Sequence, residues 1–355
     1  MLTDARASDA GVAEGVDMQA PFAPEVSLVG GDRQLTYELY LTSYTRNRLP
    51  IYGLTVVDGA SKDVIYRMGP EDLAAAIGHQ GNHGEEPILE PGRRTAVYLT
   101  VPLQGKRPPS SLIHRLDLAP DHGGEPVGVQ VLGGYTGVAG DSPPSLGPPL
   151  RGGPWVAMYD PALERGHRRV IYAVGGRARI PGRHAIDWMR PVGWPKQGEG
   201  EEVLAVADAV VVGVHDGMQD TQGDPARIPL ADGSGNYICL DLGHGRFAFY
   251  EHLMPGIALH VDDRVRRGQV VAKLGMTGHA TVPHLHFHVA DANSPLAAEG
   301  LPYALSGTKV LGRYASADDF SLGHPWKEAP GSTSEIGLPP PGSVVSFEAP
   351  KPSLP

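Results

Sequence analysis

Apolar and polar residues alternate with period two along much of this 355-residue chain, the pattern of half-buried β-strands. It is clean in LTYELYL from Leu35, and again in residues 93–101 through Thr95, Val97, Leu99 and Val101. Shorter runs at Leu54–Val57, Ile113–Leu118 and Val127–Leu132 extend it, with Asp58-Gly59 and Pro91-Gly92 as turns. One helix is expected, Pro70–Ile77, opened by proline and carrying Glu71 and Asp72 in its first turn. These elements predict a β-sandwich-like domain over residues 26–136, behind an acidic, small-residue leader (1–25) that reads as disordered. A packing or covering role is the plainer expectation for that domain.

Residues 137–154 form a Pro/Gly linker, and Trp155 directly after it will seek burial. Beyond it the strand pattern resumes. RRVIYAV and RARI flank Gly175-Gly176, which supplies the positive φ angles of a two-residue hairpin. IDW (186–188), EVLAVADAVVVGVHDG (202–217), NYICLDLG (236–243), RFAFYEHL (246–253) and PHLHFHV (283–289) follow, most ending in Gly, Asp or Pro. A mainly β protein results, whose second domain (155–305) is an antiparallel sheet. Residues 306–355 look irregular, with one late strand-like run, GSVVSF (342–347), expected to pack back on that domain.

Composition narrows the classes. The 47 Gly and 34 Pro against 6 Phe favour turns and short strands over long helices. A formal charge of −10 argues against generic nucleic-acid or anionic-membrane binding, and no run is apolar enough for a membrane span. A single cysteine, Cys239, rules out an intramolecular disulfide and a cysteine-rich zinc site; in its apolar run it reads as buried and inert. The start shows no classical export signal, so the compartment is left open. No pattern fixes an oligomeric state.

Histidine is the outlier: ten of the 15 fall between His167 and His288. In a strand, His284, His286 and His288 project from one face while Leu285 and Phe287 turn to the core. Imidazoles about 6–7 Å apart along such a face suit a metal ligand beside a proton-transfer group; a solvated strand edge is the bland alternative. Asp187, a carboxylate in an apolar strand, must be paired, hydrogen-bonded or metal-bound. His252 ends another apolar strand, where a carbonyl-bonded core-edge histidine would be the ordinary reading.

Taken in order, AIDW, AVADAVVVGVHDG, YEHL, VRRGQVVAKLGMTG and PHLHFHV resemble the lysostaphin/LytM-type zinc metallopeptidases over roughly residues 166–295. The resemblance implies one zinc ion per chain, with Asp187 and His286 as ligands and His252 and His284 as catalytic groups beside it. It implies that loop 275–283 walls a substrate groove. It also implies hydrolysis of a peptide bond, in peptidoglycan cross-links or stem peptides, by zinc-bound water activated by the two histidines. A periplasmic or extracellular location would go with that activity.

One departure stands out. Where the family has its first zinc histidine, as H-x-G-x-D, this chain has Arg183, and His184 stands one residue closer to Asp187. An odd offset puts His184 on the opposite strand face. His167, across the hairpin, reaches the Asp187 face if a bulge forms at Pro181-Gly182, and is the preferred third ligand. His288 is expected to be exposed filler, His279 an ordinary loop residue, and His215 and His244 without role. The rival reading is a degenerate module that binds peptide or a partner protein without cleavage; a zinc hydrolase for some other peptide is a third.

Overall fold

The computed structural model describes residues 15–78, 86–104, 107–118, 129–140, 142–159, 166–329 and 334–348. They are mainly β with antiparallel sheets, and they divide into two units. One takes in the chain up to Val26 and Asp32–Ser142; the other takes in Ser27–Gly31 and the chain from Pro143. Among the described residues no helix is long and apolar enough to cross a membrane.

In the first unit the predicted alternation forms strands Asp32–Ser43 and Arg94–Pro102, paired antiparallel from Gln34↔Pro102 to Thr42↔Arg94. A second sheet joins Leu49–Asp58 to Ser111–Leu118. Leu39, Val97 and Leu99 from the first sheet and Leu54, Val56 and Leu116 from the second lie in one apolar cluster, each with no exposed surface. Burial on this scale contributes roughly 1.5–3 kcal/mol per large side chain. The expected helix is Pro70–Ala76, where Asp72 accepts the Gly69 N–H and Leu73 is buried. Residues 1–14 of the expected leader lie outside the described residues. Val16–Gln19 is instead a strand paired with Tyr40–Ser43, because Met18 buries its side chain in the core.

The second unit is organised on one long sheet. Its central order runs Ala304–Arg313, Ser343–Phe347, Gly152–Met158, Ile186–Met189, Leu285–Ala290, Phe247–Leu253, Asn236–Asp241, Ala209–His215. These neighbours pair antiparallel throughout. Trp155, Trp188, Tyr250, Leu285 and Phe287 have no exposed surface and anchor its core, Phe287 lying between Tyr250 and Tyr303 at centroid distances of 5.0 and 5.2 Å.

Two expected boundaries change. The linker is partly structured, because Leu146 and Leu150 are buried; Ser145–Leu146 pairs parallel to Ala304–Leu305. The described residues after 305 are not irregular: Ala304–Arg313 crosses the expected boundary, and Ser343–Phe347 pairs with it and with Gly152–Met158. Val344, Val345 and Phe347 are buried where this strand completes the sheet.

Candidate metal centre

Three strands bring the central carboxylates and imidazoles into one row. Asp187 stands directly opposite His286, and His286 directly opposite Glu251. Directly paired residues point to the same sheet face, so one face receives all three side chains. Along the Leu285–Ala290 strand, His286 and His288 share that face, and His284 just before it does too, while Leu285, Phe287 and Val289 fill the core behind.

Asp187 is the hub. His167 Nε2 lies 2.8 Å from its Oδ2, and His286 Nδ1 lies 2.9 Å from its Oδ1. His284 Nε2 is 3.6 Å from Oδ1. The His167 and His286 rings meet edge-on at 4.5 Å. Burial works to raise the Asp187 carboxyl, but the facing imidazoles outweigh it and hold it well below the usual carboxylate range. For His286 burial works downward, and the bond to Asp187 with nearby Glu251 reverses it, leaving the ring above its ordinary value.

His167 arrives by a route other than a bulged hairpin. The hairpin is short, Tyr172–Val174 with Arg177–Arg179, and His167 sits outside it in a single 3-10 turn, His167–Arg169. A second turn, Pro181–His184, faces it, since Pro181 has no N–H with which to continue the ladder. Gly182 makes the approach possible: a Cβ there would lie 2.8 Å from the His167 Cβ. His184 is buried, and it makes no contact with Asp187 among the described interactions. Burial first, then the charges of Arg183, Arg168 and Arg246, hold it well below its ordinary value, surroundings hostile to a cation. Arg183 turns away from the pocket and donates to Glu299 at 2.6 Å and to the Gly300 carbonyl at 3.0 Å.

His252 and His284 turn their Nε2 atoms toward the same pocket. A carbonyl only accepts, so the contacts from His252 Nδ1 to Thr277 O and from His284 Nδ1 to Val282 O, both 2.8 Å, put each proton on Nδ1. Each Nε2 is then an acceptor, and burial lowers both rings further from protonation. The rings are 4.7 Å apart. His252 has φ of +64°, unusual for a residue with a Cβ, and it follows a register irregularity between Asn236 and Ile238 on the neighbouring strand. This breaks strict alternation and lets consecutive Glu251 and His252 both reach the pocket. The Thr277 carbonyl is held by a glycine-packed turn: a Cβ at Gly278 would sit 2.4 Å from the Gly233 carbonyl.

Two residues escaped sequence reasoning. His288 is not exposed filler. It is 1% exposed, stacks on Phe249 at 4.9 Å and 8°, and places Nδ1 3.2 Å from His286 Nε2. Both strand faces are covered here, which an alternating pattern does not announce. Glu251 is buried beside it, with Oε1 3.9 Å from His288 Nδ1; burial raises its carboxyl above the usual range. Strand alternation would have aimed it away from His252. Two further histidines brace loops: His279 Nε2 bonds the Ile228 carbonyl at 2.8 Å, and His215 Nδ1 bonds the Gly235 carbonyl at 2.9 Å.

Nitrogen and oxygen atoms of His167, Asp187 and His286 all lie within 4.8 Å of one another, and so do those of Glu251, His286 and His288. The first set joins two imidazoles to one carboxylate, with His167 31% exposed and open to solvent. Its gaps of 2.8 and 2.9 Å are a little under the roughly 3.3 Å between donors around one zinc ion. The donor set fits such an ion once the two ring protons leave.

Residues 195–298 match the model of Peptidase family M23. The match spans Glu251, His252 and the three histidines of PHLHFHV, and begins after His167 and Asp187. The mainly β second unit therefore resembles the M23 peptidases over these residues, and the resemblance to lysostaphin/LytM-type peptidases holds. Among solved structures, the chain is similar to the catalytic domain of a prophage-encoded M23 protein, EnpA, from Enterococcus faecalis. That likeness has 19% identity and a TM-score of 0.28, covering 43% of this chain and 92% of that one. It is also similar to the catalytic domain of lysostaphin from Staphylococcus simulans, at 21% identity and a TM-score of 0.25, covering 42% and 88%. A zinc-containing peptidase from Vibrio cholerae is similar at 14% identity and a TM-score of 0.25, covering 78% and 83%. No curated protein matches the chain.

Proposed function

We propose that this protein is a zinc-dependent endopeptidase acting on peptidoglycan cross-links or stem peptides, with one zinc ion held by His167, Asp187 and His286. The observation that carries the reading is the pairing of both Asp187 oxygens with imidazoles from two separate segments, at 2.8 and 2.9 Å. A bound zinc ion would act as a Lewis acid on the scissile carbonyl and lower the pKa of a coordinated water toward about 7. The chain's own residues do the rest. His252 and His284, fixed through Nδ1 by Thr277 and Val282, aim acceptor nitrogens into the pocket, where one takes a proton from the attacking water and returns it to the leaving amine. The other, also an acceptor at Nε2, takes the second hydrogen of that water and orients it for attack. Loop 275–283 would wall the groove. A periplasmic or extracellular setting follows from such a substrate.

The test is zinc content by elemental analysis, with mass-spectrometric mapping of ends released from purified peptidoglycan. One zinc per chain, a cleaved peptide bond, and loss of both in His286→Ala are expected. Arg183 at the usual first-histidine position favours the second reading, a module that binds peptide or a partner without cleavage. Full zinc loading with binding but no product from any wall type would establish that reading instead.

A further inference from the structure

A zinc-bound imidazole uses one nitrogen for the metal, and its other N–H is ordinarily held by a carboxylate, a carbonyl or water, which fixes ring orientation and basicity. His286 has its Nδ1 at Asp187. Its Nε2 meets another histidine, His288, at 3.2 Å.

Packing does not account for a histidine at 288. The ring lies flat on Phe249 and is 1% exposed, and its Nε2 has no hydrogen-bond partner among the described residues. An unpaired buried ring nitrogen carries a desolvation cost that an apolar side chain in the same slot would avoid. What His288 offers is an Nδ1 that can either donate or accept. Without metal, the neutral His286 ring donates from Nδ1 to Asp187 and its Nε2 accepts. With metal, Nδ1 must be bare, and Nε2–H needs an acceptor. A single group at His288 serves both states. Glu251 stands beside it at 3.9 Å, opposite His286 in the ladder, with its carboxyl held by the Ser234 hydroxyl.

Building on the zinc-site reading above, we propose that His288, backed by Glu251, is a positioning residue that sets the orientation and proton placement of His286, leaving Nδ1 free for the metal. The competing occupant of the Glu251–His286–His288 cluster is a second ion, which would have to share His286 with the first.

Chelator-competition titration with zinc, and elemental analysis, on the full chain and on H288L, H288N and E251Q test this. Thermal unfolding of each metal-free variant checks that it folds. The expected results are one zinc per chain in the parent and about 10- to 100-fold weaker binding in H288L. H288N, whose amide can donate or accept near the Nδ1 position, is expected within a few-fold of the parent, and E251Q about tenfold weaker. Cobalt substitution should show an altered ligand-field spectrum in H288L and a parent-like one in H288N. Parent-like affinity in H288L, or equal weakening in H288L and H288N, would overturn the role. Two ions per chain in the parent, falling to one in E251Q, would overturn it in favour of a second metal site. A parent chain that takes up no zinc at all would remove the zinc-site reading itself, and this inference with it.

Discussion

Each unit buries histidine, and the two do so for different ends. In the first unit His114 has no exposed surface, yet both nitrogens are satisfied within the fold: Nε2 lies 2.7 Å from the Tyr37 hydroxyl and Nδ1 2.9 Å from the Gly134 carbonyl. Burial pushes it down to about 4, so it stays neutral across the physiological range. In the second unit His167, His284 and His286 converge on one carboxylate, and His252 adds an Nε2 that no backbone group claims. Burial alone therefore says little about a histidine. What separates the two regions is whether ring nitrogens finish their bonds locally or are left facing one another.

The sharpest break in that comparison comes from removing one member of each set. Asp187→Asn keeps the shape but removes the charge that His167 and His286 share. Zinc content should fall below detection and peptide hydrolysis by at least about a thousandfold, equivalent to roughly 4 kcal/mol of barrier. His114→Gln should leave zinc content and turnover unchanged. Parallel elemental analysis and cleavage assays decide it; activity retained in Asp187→Asn would leave the site with no special claim over His114.

Acid sharpens the same contrast. In the unfolded chain a histidine titrates near 6.5, while His114 in the fold takes its proton only at about 4. Its share of stability is complete above pH 6.5. As the pH falls through this window the unfolded chain gains a proton the folded chain refuses, and stability drops by up to about 1.4 kcal/mol per pH unit. Roughly 3 kcal/mol is gone by pH 4. Buried His252, also depressed, adds loss of the same sign. Denaturant melts of parent and His114→Gln at pH 7 and pH 4.5 isolate the His114 part. The parent should lose about 2.4 kcal/mol more than the variant between those pH values; equal losses would mean that His114 is not buried as described.

How much of this was legible from sequence follows from what a strand pattern encodes. Period two revealed most strands and put His284 and His286 on one face with Leu285 and Phe287 behind them, because alternation is a local property of the chain. Pairing between distant strands is not local. Nothing in RFAFYEHL said that Glu251 would stand opposite His286, and the left-handed backbone at His252 defeats the alternation that would have sorted the two. His288 was misjudged for a related reason: its strand is covered on both faces, and the cover, Phe249, comes from another strand. The bulge expected to carry His167 does not form; two facing 3-10 turns carry it to Asp187 instead. At the C-terminus, Val344, Val345 and Phe347 signalled burial, but their sheet partners lie at 152–158 and 304–313, and no local pattern points there.

Those facing turns give a smaller and more specific prediction. Gly182 lies where a Cβ would come within 2.8 Å of the His167 Cβ, so Gly182→Ala must push the two turns apart by more than half an ångström. The turns are short and His167 is 31% exposed, so the fold should absorb the change at a cost under about 1 kcal/mol. The metal site tolerates less, because the His167 ring can no longer hold 2.8 Å to Asp187. Zinc affinity should fall about tenfold in chelator competition, with thermal unfolding nearly unchanged. Parent-like affinity would show that His167 reaches Asp187 without the space Gly182 leaves.

The smallest expected effect is also the most discriminating between neighbours. His184 is adjacent in sequence to the position where the family carries its first histidine, but it is buried among Arg183, Arg168 and Arg246. A dication drawn to that point would meet three like charges at close range, whereas at Asp187 it meets a carboxylate. His184→Gln should therefore leave zinc affinity within about twofold of the parent, while His167→Gln, made at a more exposed and structurally less demanding position, should weaken it by tenfold or more. The two substitutions are chemically identical, so the difference between them reports location alone. If His184→Gln proved the weaker binder, the first ligand would have stayed close to its usual place in the sequence, and the turn carrying His167 would be a structural brace of the kind His114 provides in the other unit.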